Sequence, residues 1–131
     1  MKDFRHEQPV VLVVDDDREV WSKVTAALPE AKFACRCCAT AEEAATTAET
    51  NPPDLILCNV NLQGESGLET CQRIKRRPGM EGVPVMFLSG TQLPDIIRRS
   101  DAGSGIYSLR KPFDTHVLVE LIDQALGVPQ G

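Results

Sequence analysis

The 131-residue sequence has no run of ~18 consecutive apolar residues, so no segment reads as a membrane-spanning helix. Its opening residues, MKDFRHEQP, lack the apolar core of a secretory signal. Positive charge is not in excess: 14 Lys and Arg against 19 Asp and Glu leave a net charge of −5. A field of that sign disfavours binding to nucleic-acid phosphates. There is no internal repeat, linker or low-complexity tract. Without an export signal, the five cysteines are expected to be reduced thiols rather than a disulfide framework. Cys35, Cys37 and Cys38 have neither a second cysteine pair nor a nearby histidine to complete a zinc site, and their spacing suits a strand. No loop of Gly, Ser or Thr follows the first apolar run. Three acids, Asp15, Asp16 and Asp17, stand there instead and would repel the phosphate of a flavin.

What is present is an ordinary globular composition, 42% apolar and 25% charged, in a length that suits one domain. VVLVV, Val10 to Val14, is a β-branched run short enough for a strand buried on both faces. Val20, Val24, Ala27 and Leu28 then recur at helical spacing until Pro29. KFACRCCA alternates and reads as a second strand. Thr40 with Glu43 makes a capping box for a helix packed through Ala44, Ala45 and Ala48 and closed by Pro52-Pro53. DLILCN, Asp54 to Asn59, is the third strand. Leu68, Cys71 and Ile74 mark a third helix, whose basic end, Lys75 to Arg77, suits the helix dipole.

Val83 to Ser89 reads as a fourth strand, and a weaker helix is expected around Leu93 to Asp101. IYSLR is the fifth strand, closed by Lys111-Pro112. Asp114 caps a last helix with one apolar stripe, Val117, Leu118, Leu121, Ile122, Ala125 and Leu126. Strand and helix alternate five times. The expected fold is therefore a doubly wound α/β domain, (βα)5, with a parallel sheet covered on both faces. Residues 1–9 read as a polar arm, 10–127 as the domain, and 128–131 as a tail or linker stub. Ligands of such sheets sit beyond the carboxyl ends of the strands. Those ends carry Asp15 and Asp16, Asn59, Ser89 and Lys111.

VLVVDDD, PDLILCNVNLQGESGLE, VPVMFLSG and LRKPF, in this order and spacing, resemble the receiver domain of bacterial two-component response regulators over essentially the whole chain. The resemblance implies a flavodoxin-like sheet in the order 2-1-3-4-5. It also implies an acidic pair at Asp15 and Asp16 that holds Mg²⁺ together with Asn61, phosphoryl contacts from Ser89 and Lys111, and a cis bond between Lys111 and Pro112. The switch face would involve Ser89, Tyr107 and Pro112. Three positions depart from the family. Asn59 replaces the phospho-accepting aspartate. Gln63 stands where a proline is usual. Ser108 occupies the place of the switch aromatic, and Tyr107, one residue earlier, falls on the other face of the strand unless a bulge corrects the register.

An amide is a poor phosphoryl acceptor: its nitrogen lone pair is delocalised and its oxygen carries no full charge. It can still ligate a cation weakly, so Mg²⁺ binding is expected to be weak or lost. Other nucleophiles are badly placed. Asp54 is at the wrong end of its strand, Asp17 suits a cap, Cys58 alternates to the opposite face, and Ser66 has nothing to recommend it beyond its place in the loop. His6 and His116 are too far apart in the chain to form a site. A plainer account also stands: Asp15 and Asp16 cap the first helix and Lys111 pairs with their charge.

The expected function is thus a receiver-like signalling module, not an enzyme, acting by protein contact without phosphorylation at position 59. The competing expectation is a working phosphorelay receiver that accepts phosphate at an unusual residue. Its partners would be a histidine kinase, an output domain or another signalling protein. The expected setting is cytoplasmic, as a monomer or weak dimer, either alone or as one domain of a longer protein.

Overall fold

The computed structural model describes residues 8–90 and 105–127. The first seven residues, the last four and the segment expected to hold the Leu93–Asp101 helix lie outside the described residues. The elements run β1 (Val10–Val14), α1 (Arg18–Ala27), β2 (Ala34–Cys38), α2 (Ala41–Thr50), β3 (Leu55–Asn59), β4 (Asn61–Leu62), β5 (Glu65–Ser66), α3 (Gly67–Lys75), β6 (Val85–Ser89), β7 (Ile106–Arg110) and α4 (Thr115–Leu126). Five strands form one parallel sheet in the order β2-β1-β3-β6-β7. Setting aside the β4–β5 hairpin, which pairs only with itself, this is the expected order 2-1-3-4-5. β6 starts two residues later than its apolar run, because Pro84 has no N–H to give a ladder and serves only as an acceptor, for the Ile56 N–H at 3.1 Å.

Burial on both faces explains why the central strands read as unbroken apolar runs. Successive side chains alternate between two cores. Leu12, Val14, Ile56, Cys58, Val85 and Phe87 meet Ala44 and Ala48 of α2 and Cys71 and Ile74 of α3. Val11, Val13, Leu55, Leu57, Met86 and Leu88 meet Val20 and Val24 of α1 and Leu118, Ile122 and Leu126 of α4. Each fully buried Val or Leu on these faces contributes about 1.5–3 kcal/mol relative to exposure.

The helix ends are set by the side chains the sequence offers. Asp17 accepts from the Glu19 N–H at 2.9 Å, Thr40 from Glu43 at 3.1 Å and Asp114 from His116 at 2.7 Å. α4 ends at Gly127 in the left-handed region, φ 70°. Ser66, which the sequence offered only as a loop hydroxyl without support as an acceptor, is the cap of α3, accepting from Glu69 N–H at 3.2 Å.

Between β3 and α3 the chain makes a tight two-residue hairpin. Gln63 at φ 46° and Gly64 at φ 89° take the paired left-handed conformations that match the twist of the flanking strands. A proline ring, fixed near −65°, cannot occupy the Gln63 position. The hairpin returns the chain so closely that a Cβ on Gly67 would lie 1.9 Å from the Asn59 carbonyl oxygen. Gly67→Ala should therefore destabilise the fold by about 3 kcal/mol, the upper end of ordinary overpacking. The check is urea unfolding, with a lower midpoint and an unchanged slope.

Candidate functional site

Register brings the site together. Val14 of β1 lies level with Cys58 of β3, so the next residues, Asp15 and Asn59, end the two strands side by side. Asn59 is level with Leu88, which puts Ser89 one step beyond it on the neighbouring strand. Ser89 is level with Arg110, and the Lys111 N–H donates to the Ser89 carbonyl at 2.8 Å. The Lys111–Pro112 bond is cis, as the resemblance implies.

Asp15 is the centre of this cluster. Its side chain is 0% exposed, and its Oδ2 lies 2.7 Å from the Lys111 ammonium, itself 19% exposed. The angles at Oδ2 meet no hydrogen-bond geometry, so the ammonium acts there chiefly by charge and proximity. Oδ1 accepts from the Asp17 backbone N–H at 2.9 Å and from the Asn59 amide Nδ2 at 3.3 Å. The Asn59 amide oxygen in turn accepts from the Asn61 N–H at 3.3 Å. This pair of partners orients the amide, nitrogen toward the carboxylate and oxygen toward the loop. The indole Nε1 of half-buried Trp21 donates to the Asp15 carbonyl at 2.7 Å, so the only tryptophan sits against the centre of the cluster.

The other candidate residues separate cleanly. Asp16 is partly exposed beside Asp15, and the α1 cap is Asp17, so the capping role weighed for the first two acids belongs to the third. Ser89 is buried at the end of β6, Asn61 and Pro112 are exposed, and the Asn61 side-chain oxygen accepts from Gly64 N–H at 3.4 Å. β6 and β7 pair without a bulge from Val85↔Ile106 to Ser89↔Arg110. Tyr107 therefore packs in the α1–α4 core while Ser108 is exposed on the other face. Asp54 lies at the far end of the sheet, accepting from Val10 N–H at 2.7 Å. The Ser66 hydroxyl is committed to its cap, and His116 is exposed on the first turn of α4.

The cysteines are no nucleophilic alternative. Cys58 turns into the α2–α3 core, where a hydrogen bond with the Cys71 thiol, then burial, hold its pKa well above the ordinary value. Burial, and the neighbouring Cys35 and Cys38 thiols, push Cys37 up to about 11.

A family model for the response regulator receiver domain matches residues 11–123. The chain belongs to this family. Among curated relatives, the receiver is 30% identical over 112 residues to the DNA-binding dual master transcriptional regulator RpaA of Synechocystis, covering 85% of this chain and 46% of that one. It is 29% identical over 117 residues to the phosphate regulon transcriptional regulatory protein PhoB of Pseudomonas aeruginosa, covering 88% and 51%. The chain thus spans about half the length of these relatives. Among solved structures, the chemotaxis protein CheY4 of Vibrio cholerae superposes with a TM-score of 0.80 at 24% identity, covering 91% of this chain and 99% of that one. A CheY-like receiver domain protein of Methanospirillum hungatei gives 0.78 at 21%, covering 92% and 94%. Both likenesses are likenesses of fold.

Receiver domains commonly bind Mg²⁺ at this acidic end. The donors here are oxygen, as a hard cation prefers. The arrangement nevertheless does not fit: Asp15 Oδ1 is engaged by two donors of the protein, and a full positive charge lies 2.7 Å from Oδ2. Among the described residues no three acids, histidines or cysteines converge to supply more negative charge.

Two outcomes follow from these environments. Lys111→Met leaves the buried Asp15 charge without its counter-ion and should cost about 3 kcal/mol, the lower end for breaking a buried pair because Oδ1 keeps its donors. Chemical denaturation measures it. Only thiolate reacts, so raising the Cys37 pKa from 9.0 to about 11 should slow its alkylation at pH 8 about 100-fold relative to an ordinary thiol. The rate should keep rising until pH passes about 11, and any stability owed to the neutral thiol is present below pH 9 and lost over the same interval. Peptide mapping after timed iodoacetamide pulses reads both the site and the rate.

Proposed function

We propose that this receiver domain works in two-component signalling by protein contact, without phosphorylation at position 59. The observation that carries this reading is the state of the Asn59 amide. Phosphoryl transfer to a receiver needs a charged oxygen in line with the donor and positive charge on the transferring oxygens. The chain offers a neutral amide whose nitrogen donates to Asp15 and whose oxygen accepts from Asn61 N–H. Neither atom is a competent nucleophile, and Lys111 is drawn to Asp15 rather than left to meet a phosphoryl group.

In this reading Asp15, Asp16, Ser89, Asn61 and Lys111 are the inherited site and Asn59 its altered centre. In the same reading residues 10–127 are the receiver unit, 1–9 a polar arm and 128–131 a tail or linker stub. The partners are proteins of the signalling apparatus, a histidine kinase, an output domain or another signalling protein, met by a cytoplasmic monomer or weak dimer. No helix among the described residues is long and apolar enough to cross a membrane.

Incubation with Mg²⁺ and acetyl phosphate, followed by the mass of the intact protein, tests the proposal. The wild-type chain should gain nothing, and Asn59→Asp should gain one phosphoryl group. A phosphoryl gain by the wild type would overturn the reading and return the domain to the phosphorelay class.

A further inference from the structure

The Asp15–Lys111 pair has a consequence for the cation that receivers hold at this end. We infer that the Lys111 ammonium stands in for the divalent cation, so that the buried Asp15 charge is balanced by the protein's own lysine and Lys111 excludes Mg²⁺ from the site.

Three observations carry this. Asp15 is fully buried, and a buried carboxylate must be paired. Its charge is countered without any ion: Lys111 Nζ lies at 2.7 Å from Oδ2, and Oδ1 takes the Asp17 N–H at 2.9 Å and the Asn59 Nδ2 at 3.3 Å. A cation entering here would have to displace the ammonium and turn away the Asn59 N–H, which points at the oxygen the cation would need.

The charge count agrees. Asp15 and Asp16 with Lys111 sum to −1, and Asn59 adds nothing. An aspartate at position 59 would make the sum −2 and would set a second carboxylate oxygen against Asp15 Oδ1, where the amide nitrogen now sits at 3.3 Å. Two such oxygens repel, and a cation between them is the natural remedy. The amide changes that repulsion into a hydrogen bond. Asn59 thereby removes the need for the ion, and Lys111 takes its charge.

The inference rests on the reading of these residues as a receiver site, but it concerns the cation and not the phosphoryl group, so the two fail separately. The acetyl phosphate experiment bears on Asn59; the following one bears on Lys111. Mg²⁺ is titrated to about 10 mM at constant ionic strength, where an unbound ion gives no stabilisation. The readouts are Trp21 fluorescence, since its indole donates to the Asp15 carbonyl, and the melting temperature.

The wild type should respond to neither readout. Lys111→Met should bind Mg²⁺ at least about tenfold more tightly than wild type, with a melting temperature that falls on mutation and is recovered by the ion. If that variant does not fold, Lys111→Gln, which keeps an N–H donor without the charge, carries the same expectation. On the wild-type protein alone, Mn²⁺ at millimolar concentration should leave the Asn59 side-chain amide resonance unbroadened. Wild type binding Mg²⁺ as tightly as the lysine variants, or broadening of the Asn59 amide by Mn²⁺, would overturn the inference.

Discussion

The arrangement depends on one requirement: a carboxylate with no exposed surface must find positive charge and donors within the protein. Asp15 finds them in Lys111, Asn59 and the Asp17 N–H. Each comes from a different stretch of the chain. Lys111 follows β7, Asn59 ends β3, and the Asp17 N–H opens α1. The buried charge therefore ties together the carboxyl ends of strands whose packing is otherwise set by apolar side chains. Buried pairs of this kind add little net stability over an apolar replacement, but losing one partner is costly. The cluster is better understood as a constraint on which arrangement the strand ends adopt than as a reservoir of stability.

The hairpin after β3 belongs to the same constraint. Leu62 anchors it in the α2–α3 core, and Gly67 N–H donates to the Val60 carbonyl at 2.8 Å. The left-handed pair at Gln63 and Gly64 closes the turn in two residues. This geometry leaves the Asn61 N–H facing the Asn59 oxygen and so decides which end of the amide meets Asp15. Gln63 in place of a proline is then a requirement of the turn and not an independent variation. The same turn makes Gly67 obligatory, since any side chain there would strike the strand end it must cover.

The strands were legible because burial on both faces leaves a simple mark, unbroken Val, Leu and Ile, and the helix starts because Asp17, Thr40 and Asp114 cap as their chemistry dictates. The hairpin was not. Its strands are two residues each, below any periodicity, and its signal was a Gln-Gly pair whose first residue is unusual at positive φ. The cap at Ser66 was missed for the same reason, since α3 begins at once where a loop was read. The members of the site were visible as strand ends, yet the partners of the Asn59 amide were not. Sequence placed Asp15 and Lys111 at the same edge and offered Lys111 as a charge partner for the acidic pair; register and side-chain reach show that the ammonium meets Asp15 in particular and that the amide turns its nitrogen to the same carboxylate. Tyr107 illustrates the reverse: alternation alone assigned it to the far face, and the continuous β6–β7 ladder agrees.

On the proposed reading, a receiver with a neutral amide at position 59 faces a thermodynamic problem. A phosphoryl group on an aspartate shifts a two-state face because it adds about one net negative charge and three acceptor oxygens, which one state accommodates better than the other. The neutral Asn59 amide, satisfied on both sides, offers no such increment. On the proposed reading, any bias must be built into the resting domain or come from a partner or other ligand with unequal affinity for the two states. Moving a population from 1:99 to 99:1 takes about 5.5 kcal/mol of that difference, roughly a 10⁴-fold ratio of affinities. A protein surface can supply this where a few buried anchor residues dominate the contact. If the proposed reading holds, a domain whose buried Asp15 is paired with its own lysine is suited to being read or shifted by contact, with the strand ends serving as a fixed frame.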